Sequence, residues 1–150
     1  MARLSTVWRQ VKVSLNTKLR LYNAWILSVL LYGCETWTLF KADERKLEAF
    51  HVSCQRQILG IRWYHFVSNA SVINQTGQDS LCSRIRSRRL AVFGLVRQLA
   101  KDVPAHRSLS VAVKVTSGRQ PAHWRRSRGR PHHSWTTQIE SDSGHCADLA

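Results

Sequence analysis

Between residues 17 and 39 the apolar positions form two adjoining stripes at helical spacing. Leu19, Tyr22, Ile26 and Leu30 make one, and Leu21, Trp25, Val29 and Tyr32 make the other. A segment apolar on most of its circumference is buried on most sides. The pattern predicts a central helix, ended by Gly33, around which the other helices pack. Ahead of it, Leu4, Val7, Trp8, Val11 and Leu15 give a looser helical pattern, and Asn16 or Thr17 is placed to cap the central helix.

Lys41–Leu59 carries the clearest helical period. Leu47, Phe50, Cys54 and Ile58 recur at spacings of three and four, a buried stripe, and Gly60 follows as a C-cap. Asp43, Glu44 and Glu48 lie toward the N-terminal half, where the helix dipole favours them. His51 sits at the edge of that stripe and reads as a packed side chain rather than a catalyst. Residues 61–66 are aromatic: packing onto the core is the first reading, and base stacking by Trp63, Tyr64 or Phe66 the second. Ser68 or Asn69 opens a short helix closed by Gly77. Ser80 opens a longer one whose apolar face is Leu81, Ile85, Val92, Val96 and Leu99.

From Val103 the period dissolves. Pro104, Gly118, Pro121, Gly129 and Pro131 interrupt the chain, and no apolar repeat survives from Ala105 to Arg130. The expected organisation is an all-α domain over residues 1–102, a small helical bundle around a buried central helix. A basic, mostly disordered tail over residues 103–150 follows, with room for a short terminal helix in which Trp135 and Ile139 share a face.

Charge changes this picture more than composition does. Among 150 residues, 23 Lys and Arg face 9 Asp and Glu, a formal net charge of +14. Between Arg84 and Arg130 there are 13 Lys and Arg against one acid, Asp102. Such a field attracts polyanions. Arg84, Arg86, Arg88 and Arg89 crowd the start of a helix, where they oppose its dipole; phosphate would offset that cost, and a solvated polar face is the plainer reading. Arg125, Arg126, Arg128 and Arg130 form a second cluster. Arg128-Gly129-Arg130-Pro131 is like the core of an AT-hook, in which an extended Arg-Gly-Arg lies in a narrow minor groove; a flexible basic linker is the alternative.

Other classes of chemistry find little footing. The nine acids include no adjacent pair of aspartates, and two-metal phosphoryl transfer needs converging carboxylates. Nucleophile-elbow, phosphate-loop and zinc-protease motifs are missing. His132, His133, His145 and Cys146 match no familiar metal spacing, so no metal or cofactor is expected. Cys34, Cys54, Cys82 and Cys146 lie far apart, consistent with reduced thiols in an intracellular protein, nuclear or cytoplasmic. The apolar run over residues 24–32 is too short to cross a hydrocarbon core, which takes about 20 residues, and no membrane partner is expected.

Read in order, several stretches are jointly familiar: LYNAWILSVLLYGCETWTL, KADERKLEAFHVSCQRQILGI, Thr76-Gly77, RRLAVFGLVR, and RGRP followed by a tryptophan. Together, over roughly residues 15–142, they resemble the segment downstream of the reverse-transcriptase catalytic core in non-LTR (LINE-type) retrotransposon polyproteins. The resemblance implies thumb-like and further helical elements that help hold template RNA and target DNA. It implies no polymerase activity, because the family's aromatic-x-Asp-Asp motif has no counterpart in these residues. The chain departs from the family at polar and basic positions, among them His132-His133, Thr137 and Asn74-Gln75, while the apolar stripes remain.

The functional expectation is a non-catalytic remnant that binds RNA or DNA mainly through phosphates, non-specifically and with strong salt dependence. Its binding residues are Arg84, Arg86, Arg88 and Arg89, with Arg125, Arg126, Arg128 and Arg130, and the remainder of a reverse transcriptase is a further partner. The alternative is a helical protein-interaction module whose basic tail is incidental or a nuclear-targeting signal. The resemblance also implies a segment that packs on polymerase elements, so the central helix is expected to keep an apolar face exposed, inviting a partner or aggregation.

Overall fold

The structure, a computed structural model, describes residues 5–116 and 134–147. These are helical, with no strand among the described residues, so the all-α expectation holds. The chain divides into two compact units, residues 1–32 with 40–84, and residues 33–39 with 85–150. The boundary expected at residue 102 therefore falls inside the second unit.

In the first unit α1 (Ser5–Arg9) leads to α2 (Leu15–Leu21). Ser14, not Asn16 or Thr17, is the cap: its hydroxyl accepts the Thr17 backbone N–H at 3.3 Å. The helix then widens into a π turn, Tyr22–Leu27, and closes as α3 (Ser28–Leu30). The π turn takes up an extra residue and rotates the helix beyond it. The buried stripe thus runs Leu19, Tyr22, Leu27, Leu31 in place of Leu19, Tyr22, Ile26, Leu30. The second expected stripe faces outward, with Trp25 58%, Val29 75% and Tyr32 87% exposed. Burial of this segment is one-sided, and α4 (Lys41–Leu59) is the helix that touches α1, α2 and α5 (Asn69–Thr76). Gly60 and Gly77, with φ of +71° and +58°, end α4 and α5 in the left-handed conformation, whereas the expected helix end at Gly33 falls earlier: Leu31 caps α3, and Gly33, at φ +68°, opens the 3-10 turn Cys34–Thr36.

The face α4 buries keeps Cys54 and Ile58 of the expected stripe but turns away from Phe50. Phe50 is 38% exposed, and His51, Val52, Cys54, Gln55 and Ile58 are inside. A polar relay explains this. The Thr76 hydroxyl donates to Gln55 Oε1 at 3.1 Å, and the Gln55 amide nitrogen lies 2.8 Å from His51 Nε2, which is also 3.2 Å from the Asp79 carbonyl oxygen. On the other side of the ring, His51 Nδ1 and the Tyr22 hydroxyl oxygen are hydrogen-bonded at 2.6 Å. Each buried polar group of this relay finds a partner, so the interior tolerates them.

The second unit holds most of α6 (Leu81–Gln98), α7 (Pro104–Thr116) and α8 (Trp135–Ala147), with the 33–39 segment. Helix α7 corrects the expectation of a disordered chain beginning at Val103. Pro104 opens the helix instead of breaking it: at the first helical position its missing N–H costs nothing and its fixed φ suits the turn. Helix α8 is longer than the short terminal turn expected, and α7 packs against it. The Trp135 indole donates to the Glu35 carbonyl at 2.7 Å and tilts against Phe93, with ring centroids 6.3 Å apart. Ile85 and Ile139 are buried here, and Val92 and Val96 are half-buried.

Candidate nucleic-acid interface

Helix α6 forms over the residues expected, and its four arginines have distinct fates. Arg89 is 1% exposed; one Nη lies 2.6 Å from Asp142 Oδ2, and Asp142 is itself buried. A guanidinium so enclosed cannot reach a phosphate, and Arg89 drops out of the expected binding set. Arg86 stands on the rim of the same pair, its Nε 3.6 Å from Asp142 Oδ1. Arg88 lies 3.9 Å from both Glu35 Oε1 and the Cys34 sulfur, with about half its side chain open. In the first unit Arg84 donates to Gln78 Oε1 at 2.9 Å. Three of the four thus brace the fold while keeping part of their surface outside. Arg125, Arg126, Arg128 and Arg130 lie outside the described residues, as do His132 and His133.

Of the exposed cations among the described residues, clustering along the sequence singles out Arg88 alone. Arg9, Lys12, Arg20, Lys41, Arg45, Lys46, Arg62, Arg88, Arg97, Lys101, Arg107 and Lys114 are all exposed. Among the described residues, three exposed acids, Asp79, Asp102 and Glu140, stand against these twelve. The other described acids are drawn inward or engaged. Glu48 caps α6 by accepting the Leu81 N–H at 3.1 Å, and Asp43 sits 3.8 Å from Lys46. Glu35 and Asp142 hold arginines. The outward charge is therefore more one-sided than the composition. Helix periodicity can find only those on helices, which lie off the buried stripes; Lys12, Arg62 and Lys101 sit in turns or loops.

The aromatic segment also departs from its first reading. Trp63–His65 is a 3-10 turn, and neither of the next two rings packs inward: Tyr64 is 48% and Phe66 94% exposed.

Nucleophilic chemistry has no accessible candidate among Cys54, His51 and Cys34. Cys54 and His51 approach the same phenol, but burial pushes the Cys54 thiol up to about 11 and holds the His51 imidazole below its usual value. A protonated thiol shut away from solvent is inert. Burial likewise raises Cys34 despite Arg88 beside it. The recess of about 300 Å³ lined by Lys41, Glu44, Arg45, Glu48, Ser80 and Cys82 mixes both signs, with Glu48 already spent on α6. Among the described residues no three His, Cys, Asp or Glu side chains converge as a metal site would need. No helix among them is long and apolar enough to cross a membrane.

Compared with protein-family models, curated proteins and solved structures, the chain matches none.

Proposed function

We propose that this chain is a non-catalytic nucleic-acid-binding protein that holds RNA or DNA through phosphate contacts, and that it derives from the helical segment downstream of a non-LTR reverse-transcriptase core. One observation carries the binding half of this reading: twelve exposed Lys and Arg against three exposed acids among the described residues. A polyanion that releases counterions on contact is the natural partner of such a surface. The derivation rests on the sequence resemblance alone. Catalysis is left out because the described residues offer no convergent carboxylates for metal-assisted phosphoryl transfer.

Contacts spread over six to ten phosphates predict a loss of about 10³–10⁵ in affinity between 50 and 200 mM salt. Fluorescence anisotropy with a labelled oligonucleotide measures it, and an affinity indifferent to salt defeats the proposal. Replacing Arg97, Lys101, Arg107 and Lys114 with Gln is expected to reduce the salt slope by ~1 for each phosphate no longer neutralised.

A further inference from the structure

We infer that the 61–67 loop is a stacking platform for an unpaired base of a single-stranded nucleic acid, with Phe66 as the stacking ring; this deepens the nucleic-acid reading and rests on it. Phe66 has φ +48° and ψ 32°, the left-handed region, and it is the one non-glycine with positive φ among the described residues. That conformation is disfavoured for a residue with a side chain, and glycine would adopt it freely. The ring recovers nothing by packing, since it is 94% exposed. The fold thus bears both a backbone penalty and an exposed apolar ring, and no packing among the described residues returns either. Strain held in a braced segment points to an external contact.

The bracing is specific. The Arg62 backbone N–H donates to His65 Nδ1 at 3.2 Å, and the His65 backbone N–H donates back to the Arg62 carbonyl at 3.0 Å. On the far side, the Arg56 guanidinium bonds Asn69 Oδ1 at 2.8 Å and the Val67 carbonyl. Tyr64 stands edge-on to the His65 ring, with centroids 4.7 Å apart. The result is a fixed loop that presents an aromatic face to solvent.

Charge selects the occupant. No Asp or Glu occurs between residues 49 and 78, a stretch that contains Arg56 and Arg62, and Arg62 is exposed in the same loop as the rings. An aromatic face beside a cation suits a base joined to its phosphate. A base paired in a duplex hides its face in the stack, so the partner is single-stranded.

The test compares three probes of equal length with the full chain by fluorescence anisotropy: a single-stranded oligonucleotide, the same strand made abasic, and a duplex. The native protein is expected to bind the base-bearing strand ~10-fold more tightly than the abasic one. Phe66→Ala should erase that difference while leaving abasic and duplex binding and the salt slope unchanged. Phe66→Trp should restore it, with indole fluorescence quenched by the strand. If none of the probes binds, the nucleic-acid proposal itself falls. If all three bind alike, or Phe66→Ala binds as the native chain does, this inference alone falls. A uniform loss across the probes in Phe66→Ala, or selective loss of binding to anionic phospholipid vesicles, also overturns it.

Discussion

Arg89 and Asp142, 53 positions apart in sequence, meet at 2.6 Å with both side chains almost fully enclosed. The pair joins α6 to α8 in the second unit, and Arg86 adds a weaker contact at its edge. Removing one partner leaves an uncompensated buried charge. Asp142→Ala is expected to cost about 3–5 kcal/mol in urea unfolding. The double replacement Arg89→Met with Asp142→Leu removes both charges and should recover most of that loss. A single variant that unfolds like the native chain would show that the pair is not closed in solution.

The relay through His51 makes stability depend on pH with a definite sign. Burial holds the folded imidazole below its usual value, while the unfolded one titrates near 6.5. In the window between these values the unfolded chain binds more protons, so stability falls as pH drops below about 6.5. It is unaffected by this group at higher pH, where both states are neutral. Chemical denaturation at pH 7.5 and 5.5 measures the difference, and His51→Gln should flatten it. Tyr22→Phe removes the partner of His51 Nδ1 and is expected to cost about 1–3 kcal/mol.

Phe66 sets stability against binding. Glycine adopts the left-handed conformation without penalty, so Phe66→Gly should melt no lower than the native chain and gain up to about 1 kcal/mol. The same variant should lose discrimination between base-bearing and abasic strands. A marked fall in melting temperature would mean that the ring packs in solution, contrary to its exposure here.

The outward stripe of Trp25, Val29 and Tyr32 bears on association more than on folding. Replacing Val29 and Tyr32 with Gln should change stability by no more than about 0.5 kcal/mol each. Light scattering at rising protein concentration should show less self-association in the double variant than in the native chain.

Local signals made much of this fold legible. The limits of α4 follow from its period and Gly60, and Gly77 likewise ends α5 where the pattern stops. The π turn at Tyr22–Leu27 could not be read, because no residue type announces an i→i+5 bond, and its extra residue displaced the buried stripe by one. Helix α7 escapes a reading of the pattern for two reasons. A proline at a first helical position looks like a breaker, and Val111, Val113 and Val115 alternate in the manner of a strand. The arginine cluster is visible as charge. Its division into a clamp and an open rim is not, because Asp142 approaches only through tertiary folding.

The hydrogen-bonded cluster of Thr76, Gln55, His51 and Tyr22 acts as a combination lock for the first unit. Purely greasy helices can slide by a turn and still find comparable neighbours. Here a one-turn slip of α4 would strand Gln55, His51 and the phenol together, so intermediate settings are penalised and one alignment is singled out.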